Sequence, residues 1–157
     1  MNWPGDITAI LLAVCCGAAI GLERELKRKP AGLRTNVLIC LGAAVFTIIS
    51  ERMAGGQDSI TRIAAQIVTG VGFLGAGAVI QDRGGIHGLT TAATIWLVAS
   101  IGMACGAGLY CLAIVTTVLA IVVLLGLRWI ESRLDLNRRQ PDSSKESDSH
   151  RDAKEGQ

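Results

Sequence analysis

RIAAQIVTGVGFLGAGAVI, residues 62–80, is followed by the polar turn QDRGGIH (81–87) and then by GLTTAATIWLVASIGMACGAG (88–108). Gly70, Gly72, Gly75 and Gly77 punctuate the first run, and in a water-exposed helix each would cost about 1 kcal/mol against alanine. In lipid the same residues allow helix backbones to approach closely, which is where packing energy comes from when no hydrophobic drive separates helix from solvent. The stretch therefore predicts two membrane helices whose Gly- and Ala-rich faces meet neighbours.

Working outward, the rest of the chain has the same character. Half of its 157 residues are apolar and 18% are charged, against about 25% in soluble domains; its mean hydropathy is +0.46. No Asp, Glu, Lys or Arg occurs in 7–22, 37–49, 63–80 or 90–127. The last stretch is too long for one span of about 20 residues and breaks at Gly102–Gly108. The expectation is an all-α membrane protein, a compact bundle of about five transmembrane helices over 7–22, 33–50, 60–80, 88–103 and 106–127. The first, second and fourth are short for a bilayer unless their interfacial flanks join in. The first is expected to be retained, since no basic n-region or small-residue cleavage site accompanies it.

Basic residues near helix ends set orientation. With the N-terminus out and the C-terminus in, ten fall on the inner side, five of them in Arg24–Arg34, and only Arg52 and Arg62 fall outside. Residues 1–130 then form the transmembrane domain. Residues 131–157, polar and mixed in charge, cannot bury enough surface to fold alone and are expected to be a disordered cytoplasmic tail.

The five cysteines lie in or beside apolar runs without CxxC spacing, and read as soft packing residues. Two histidines far apart in sequence do not make a metal site, no cofactor motif occurs, and no HExxH, GxSxG or P-loop is present. Nothing calls for nucleic acid, and an enzyme is the least favoured class.

Several polar and glycine residues stand out. Gly17 and Gly21 form a GxxxG pair predicting close helix contact. Glu23 is expected to pair with Arg34 across the loop, because a cation in a helix's first turn opposes its dipole and needs a partner. Asn36 sits slightly inside the membrane and needs hydrogen bonds from another helix. Gln66 shares a face with Gly70 and Gly77, as helix glue or as a pathway lining. Asp82 lies at the rim near the basic loop, while Thr90 and Thr91 are placed to cap helix four. The similarity of 41–46 to 74–80, running in opposite directions, is a faint inverted repeat of the kind found in transporters.

GLERE (21–25), AGLRTN (31–36), RIAAQIVTGVGFLGAG (62–77), GLTTAATIW (88–96) and IGMACG (101–106), in this order and spacing, resemble the MgtC/SapB family over nearly all of residues 7–125. The resemblance implies a multi-pass protein of the bacterial cell inner membrane associated with growth under magnesium limitation and with intracellular survival and virulence. It further implies action on another membrane complex, the F1Fo ATP synthase, and so on membrane potential. Glu23, Arg34, Asn36, Gln66, Asp82, Thr90 and Trp96 lie in the signature stretches. The chain departs from virulence-type members in having only a polar tail where they carry a folded cytoplasmic domain, and Thr90 where they tend to have Asn. A regulatory module docking in the lipid bilayer through Gly70 and Gly77, alone or as a homo-oligomer, is the first functional reading. A small cation transporter or channel is the second.

Overall fold

A computed structural model describes the backbone of residues 3–53, 57–80 and 88–133 and the side chains of 3–53, 64–79 and 88–126. Among the described residues there are five α-helices and no strand: α1 (Trp3–Leu26), α2 (Leu33–Met53), α3 (Gln57–Ile80), α4 (Leu89–Gly106) and α5 (Tyr110–Arg133). The all-helical bundle expected from the charge-free runs is present. Helices α1, α2 and α4 are long and apolar enough to cross a membrane, and Ala64–Val79 and Tyr110–Gly126 are shorter apolar segments. α1 and α2 run longer than expected, 24 and 21 residues, about 36 and 32 Å at 1.5 Å per residue. Backbone hydrogen bonding does not stop where hydropathy falls, so polar residues such as Asp6, Glu23 and Arg52 are carried on helix ends.

α4 is the central rod, packed on α1, α2 and α3. Its buried residues, among them Thr91, Ile95, Val98, Ala99, Gly102 and Gly106, cover about half of its circumference, wider than the roughly 100° stripe of a surface helix, while Leu89, Thr90, Ala93 and Trp96 on the other side are exposed. Ala43, Ile67, Val71, Ile95 and Ala99 form the core shared by α2, α3 and α4. In α5, Ala113, Thr117 and Ala120 make one buried face, and the Tyr110 hydroxyl donates to the Gly5 carbonyl at 3.1 Å. By its internal contacts the chain divides into residues 1–122 and 123–157; in the second unit Val123–Arg133 continue the helix.

The close approaches are not where glycine is densest. A Cβ on Gly17 would sit 2.9 Å from the Asn36 carbonyl oxygen, and one on Gly21 2.8 Å from Leu33 Cα, so the GxxxG pair seats α1 on α2 of the same chain. A Cβ on Gly102 would collide with the Cys40 carbonyl, and one on Gly106 would lie 2.5 Å from that of Ala44. In α3 only Gly75 has a neighbour, Ala92 Cβ at 3.6 Å, while Gly70, Gly72 and Gly77 face open space. α3 docks by the narrow edge Ile67–Val71–Gly75, which is buried, and its other faces turn outward.

Polar groups along the rods are largely satisfied locally. The hydroxyls of Thr47, Thr69, Thr94 and Thr117 donate to carbonyls four residues back, at 2.7–2.9 Å, which removes the cost of an unpaired hydroxyl in an apolar setting.

Candidate functional site: a polar cluster and an outward groove

The buried face of α1 advances through Ala9, Ala13, Cys16, Gly17, Ile20 and Gly21, and its next member is Arg24. Helical periodicity therefore drives a guanidinium into the bundle, where it is only 4% exposed. Its Nη2 donates to the Thr91 hydroxyl on α4 at 2.6 Å, tying the C-terminal end of α1 to the start of α4. Arg24 is one of the five basic residues that set topology in the sequence, and its place at i+3 and i+4 from Gly21 and Ile20 is the signal of its burial.

Around it, one turn of sequence divides the carboxylates between two tasks. Lys27 Nζ lies 2.6 Å from Glu23 Oε1, four residues apart and hence on one face. This corrects the expected Glu23–Arg34 pair: Arg34 is exposed, and no carboxylate pairs with it among the described residues. Glu25 Oε2 accepts the Leu33 N–H at 3.0 Å, an acidic cap on the first turn of α2 that its dipole favours. Asn36 is fully buried. Its amide NH2 donates to the Ala31 and Gly32 carbonyls at 2.5 and 2.8 Å, so its donors are satisfied by the loop and not by another helix as expected. Arg28 at φ 50° and Ala31 at φ 55° hold this loop in the left-handed region. Glu23 Oε2, Arg24 Nε and Asn36 Oδ1 are buried without a hydrogen-bond partner among the described residues.

Thr90 and Thr91 do not cap α4. Gly88, at φ 91°, holds the N-cap without a side-chain bond, Thr90 is exposed, and Thr91 is engaged by Arg24. Asp82 lies outside the described residues. Trp96 is 53% exposed and belongs to the outer surface.

Gln66 and Gly70 come together elsewhere. With Leu38, Gly42 and Phe46 of α2 they line an apolar groove of about 580 Å³ between α2 and α3. Gln66 brings the side-chain amide to this groove, and Gly77 lies further along α3, also exposed. At the opposite end from the Arg24 cluster a hollow of about 700 Å³ is lined by Asp6, Glu51, Arg52 and Tyr110 among others; there Arg52 and Asp6 form an ion pair joining α2 to α1. All five cysteines are free, Cys16, Cys40 and Cys105 buried and Cys15 and Cys111 exposed. Among the described residues no three His, Cys, Asp or Glu side chains are placed to hold a metal ion.

The arrangement can brace helix ends and offer a surface within the membrane. The MgtC family profile matches residues 10–133. Protein MgtC of Brucella abortus is 48% identical over 126 residues, covering 78% of this chain and 52% of that protein. Protein MgtC of Salmonella typhimurium is 44% identical over 129 residues, covering 82% and 55%. Escherichia coli K12 has a relative named "Putative magnesium transporter YhiD", 49% identical over 125 residues, covering 75% and 58%. The chain thus spans little more than half the length of these relatives. No solved structure matches.

Proposed function

The chain belongs to the MgtC family, and on that footing we propose that it is a non-enzymatic modulator docking within the bilayer on another membrane complex. The complex is the F1Fo ATP synthase, or another machine that sets membrane potential, and the setting is adaptation to low magnesium and, in a pathogen, survival inside host cells. The protein lies in the bacterial inner membrane with five passes, N-terminus out and C-terminus in, so that the Arg24 cluster faces the cytoplasm and the Asp6–Arg52 end faces out. One observation carries the reading: Gln66 is exposed and lines an apolar groove beside Gly42 and Gly70, whereas the buried hydroxyls of Thr47, Thr94 and Thr117 are spent on their own helices. The polarity on offer serves contact more than conduction.

A photo-crosslinker at Phe46, on the α2 wall of the groove, tests this in native membranes. Adducts with a subunit of another membrane complex are expected, and a deletion strain in micromolar magnesium should show altered growth and membrane potential, restored by the wild-type chain. Recovery of no foreign protein, with potential unchanged, refutes it. The YhiD name favours a second reading, a small cation transporter or channel. Vesicles holding the chain would then pass Mg²⁺, Na⁺, K⁺ or H⁺ at a rate that falls in Gln66→Leu.

A further inference from the structure

Gln66, Gly70, Phe73 and Gly77 are all exposed on α3, at spacings of four, three and four residues. This is the repeat of a left-handed helix seam, in which a knob at position i enters a hole made by i−3, i, i+1 and i+4 of the facing helix. For Phe73 those positions are Gly70, Phe73, Leu74 and Gly77. Phe73 is 80% exposed, and Gly70 and Gly77 have open space where a Cβ would stand. One helix face therefore bears both a large knob and a hole with two walls lacking side chains.

Gln66 says what must fill that hole. It lies roughly 4 Å along the axis from the midpoint of α3, at 1.5 Å per residue, and is exposed. Its amide carries two donors and an acceptor oxygen, and hydrocarbon answers neither. An acyl chain would fill the groove and leave the amide unpaired. A second copy brings an identical amide, and because an amide both donates and accepts, two of them pair reciprocally across a two-fold axis, as a self-complementary interface demands.

We propose that α3 closes a parallel, two-fold homodimer in the membrane, Phe73 of each copy seated between Gly70 and Gly77 of the other and the two Gln66 amides paired. The proposal rests on the reading of the α2–α3 face as a docking surface. Gln66 and Gly70 serve both contacts, so the second copy and the larger complex exclude each other, and the dimer is the unengaged form.

The full chain, carrying benzoylphenylalanine at position 73, is reconstituted in phosphatidylethanolamine–phosphatidylglycerol vesicles at several thousand lipids per copy and irradiated. A single dimer band is expected, with none from the same probe at position 119, an exposed site on α5. Gln66→Leu should weaken association about 3- to 30-fold, the range of interhelical hydrogen bonds in membranes. Gly70→Ile and Gly77→Ile should abolish the band with helicity unchanged, since both positions face open space. Monomer alone, or equal yield from position 119, overturns the dimer. Monomer in vesicles with foreign adducts from position 46 in native membranes sinks the dimer and leaves the docking function standing. A dimer without foreign adducts supports the dimer and sinks the docking function.

Discussion

Alanine at Gly102 or Gly106 should destabilise the bundle, while alanine at Gly70, Gly72 or Gly77 should not. At Gly106 the added methyl would lie 2.5 Å from the Ala44 carbonyl oxygen and 2.7 Å from Thr47 Cβ; at Gly102 it would overlap the Cys40 carbonyl and lie 2.9 Å from Ala43 Cβ. Ordinary contact begins near 3.4 Å, and the obstructing oxygens are backbone, so no side-chain rotation gives relief. α2 and α4 must part by roughly 1 Å, and such overpacking costs about 1–3 kcal/mol. A gap of that size also forfeits about a quarter to a half of the attraction of each contact it opens. Against this stands a gain in helix propensity of up to about 1 kcal/mol. The net expectation is roughly 2 kcal/mol per substitution, near 30-fold in the unfolding constant at 1.4 kcal/mol per tenfold. Unfolding of the purified chain in mixed micelles with rising dodecyl sulfate, followed by far-ultraviolet circular dichroism, measures it. Gly102→Ala matching the wild type, or Gly70→Ala proving as damaging as Gly102→Ala, would refute the account of which glycines join the helices.

The same unfolding series checks three further expectations. Thr91→Val strands a buried guanidinium N–H and should cost about 1–3 kcal/mol, whereas Arg24→Met combined with Thr91→Val should return near wild type, since an apolar replacement of a buried polar pair is often neutral. Glu25→Ala removes the acceptor of the Leu33 N–H and should cost about 0.5–2 kcal/mol. Arg28→Gly relieves a side chain held at φ 50° and should stabilise by about 1 kcal/mol; a loss of stability there would mean that the Arg28 side chain is bonded in the folded protein.

How much of this could be read from residues follows from what lipid does to pattern. Four charge-free runs, the last divided at Gly102–Gly108, marked all five helices, because an ionised side chain within the membrane is costly enough to be rare. Direction was harder. In water an outward face is polar and an inward face apolar, so periodicity tells them apart; in a bilayer both are apolar, and glycine has no side chain to add contrast. Gly17 and Gly102 on inward faces, and Gly70 and Gly77 on an outward one, are therefore alike in sequence, and only the packing of α1, α2 and α4 separates them.

Polar residues keep a readable phase where glycine does not, and two were misplaced for different reasons. Arg24 falls in step with the small residues Ala13, Gly17 and Gly21, so its burial was legible; counting it among the loop cations hid it. The partner of Glu23 was a question of reach. Lys27 stands one helical turn away on the same chain segment, and Arg34 stands across a loop whose course depends on left-handed conformations at Arg28 and Ala31 that neither residue type announces. Gln66 is the complementary case. Its face was evident from its register with Gly70 and Gly77, yet a helical register relates residues only to one another and carries no reference to the bundle axis. That this face turns away from the rest of the bundle is seen only once Ile67, Val71 and Gly75 prove to be the edge that α3 buries.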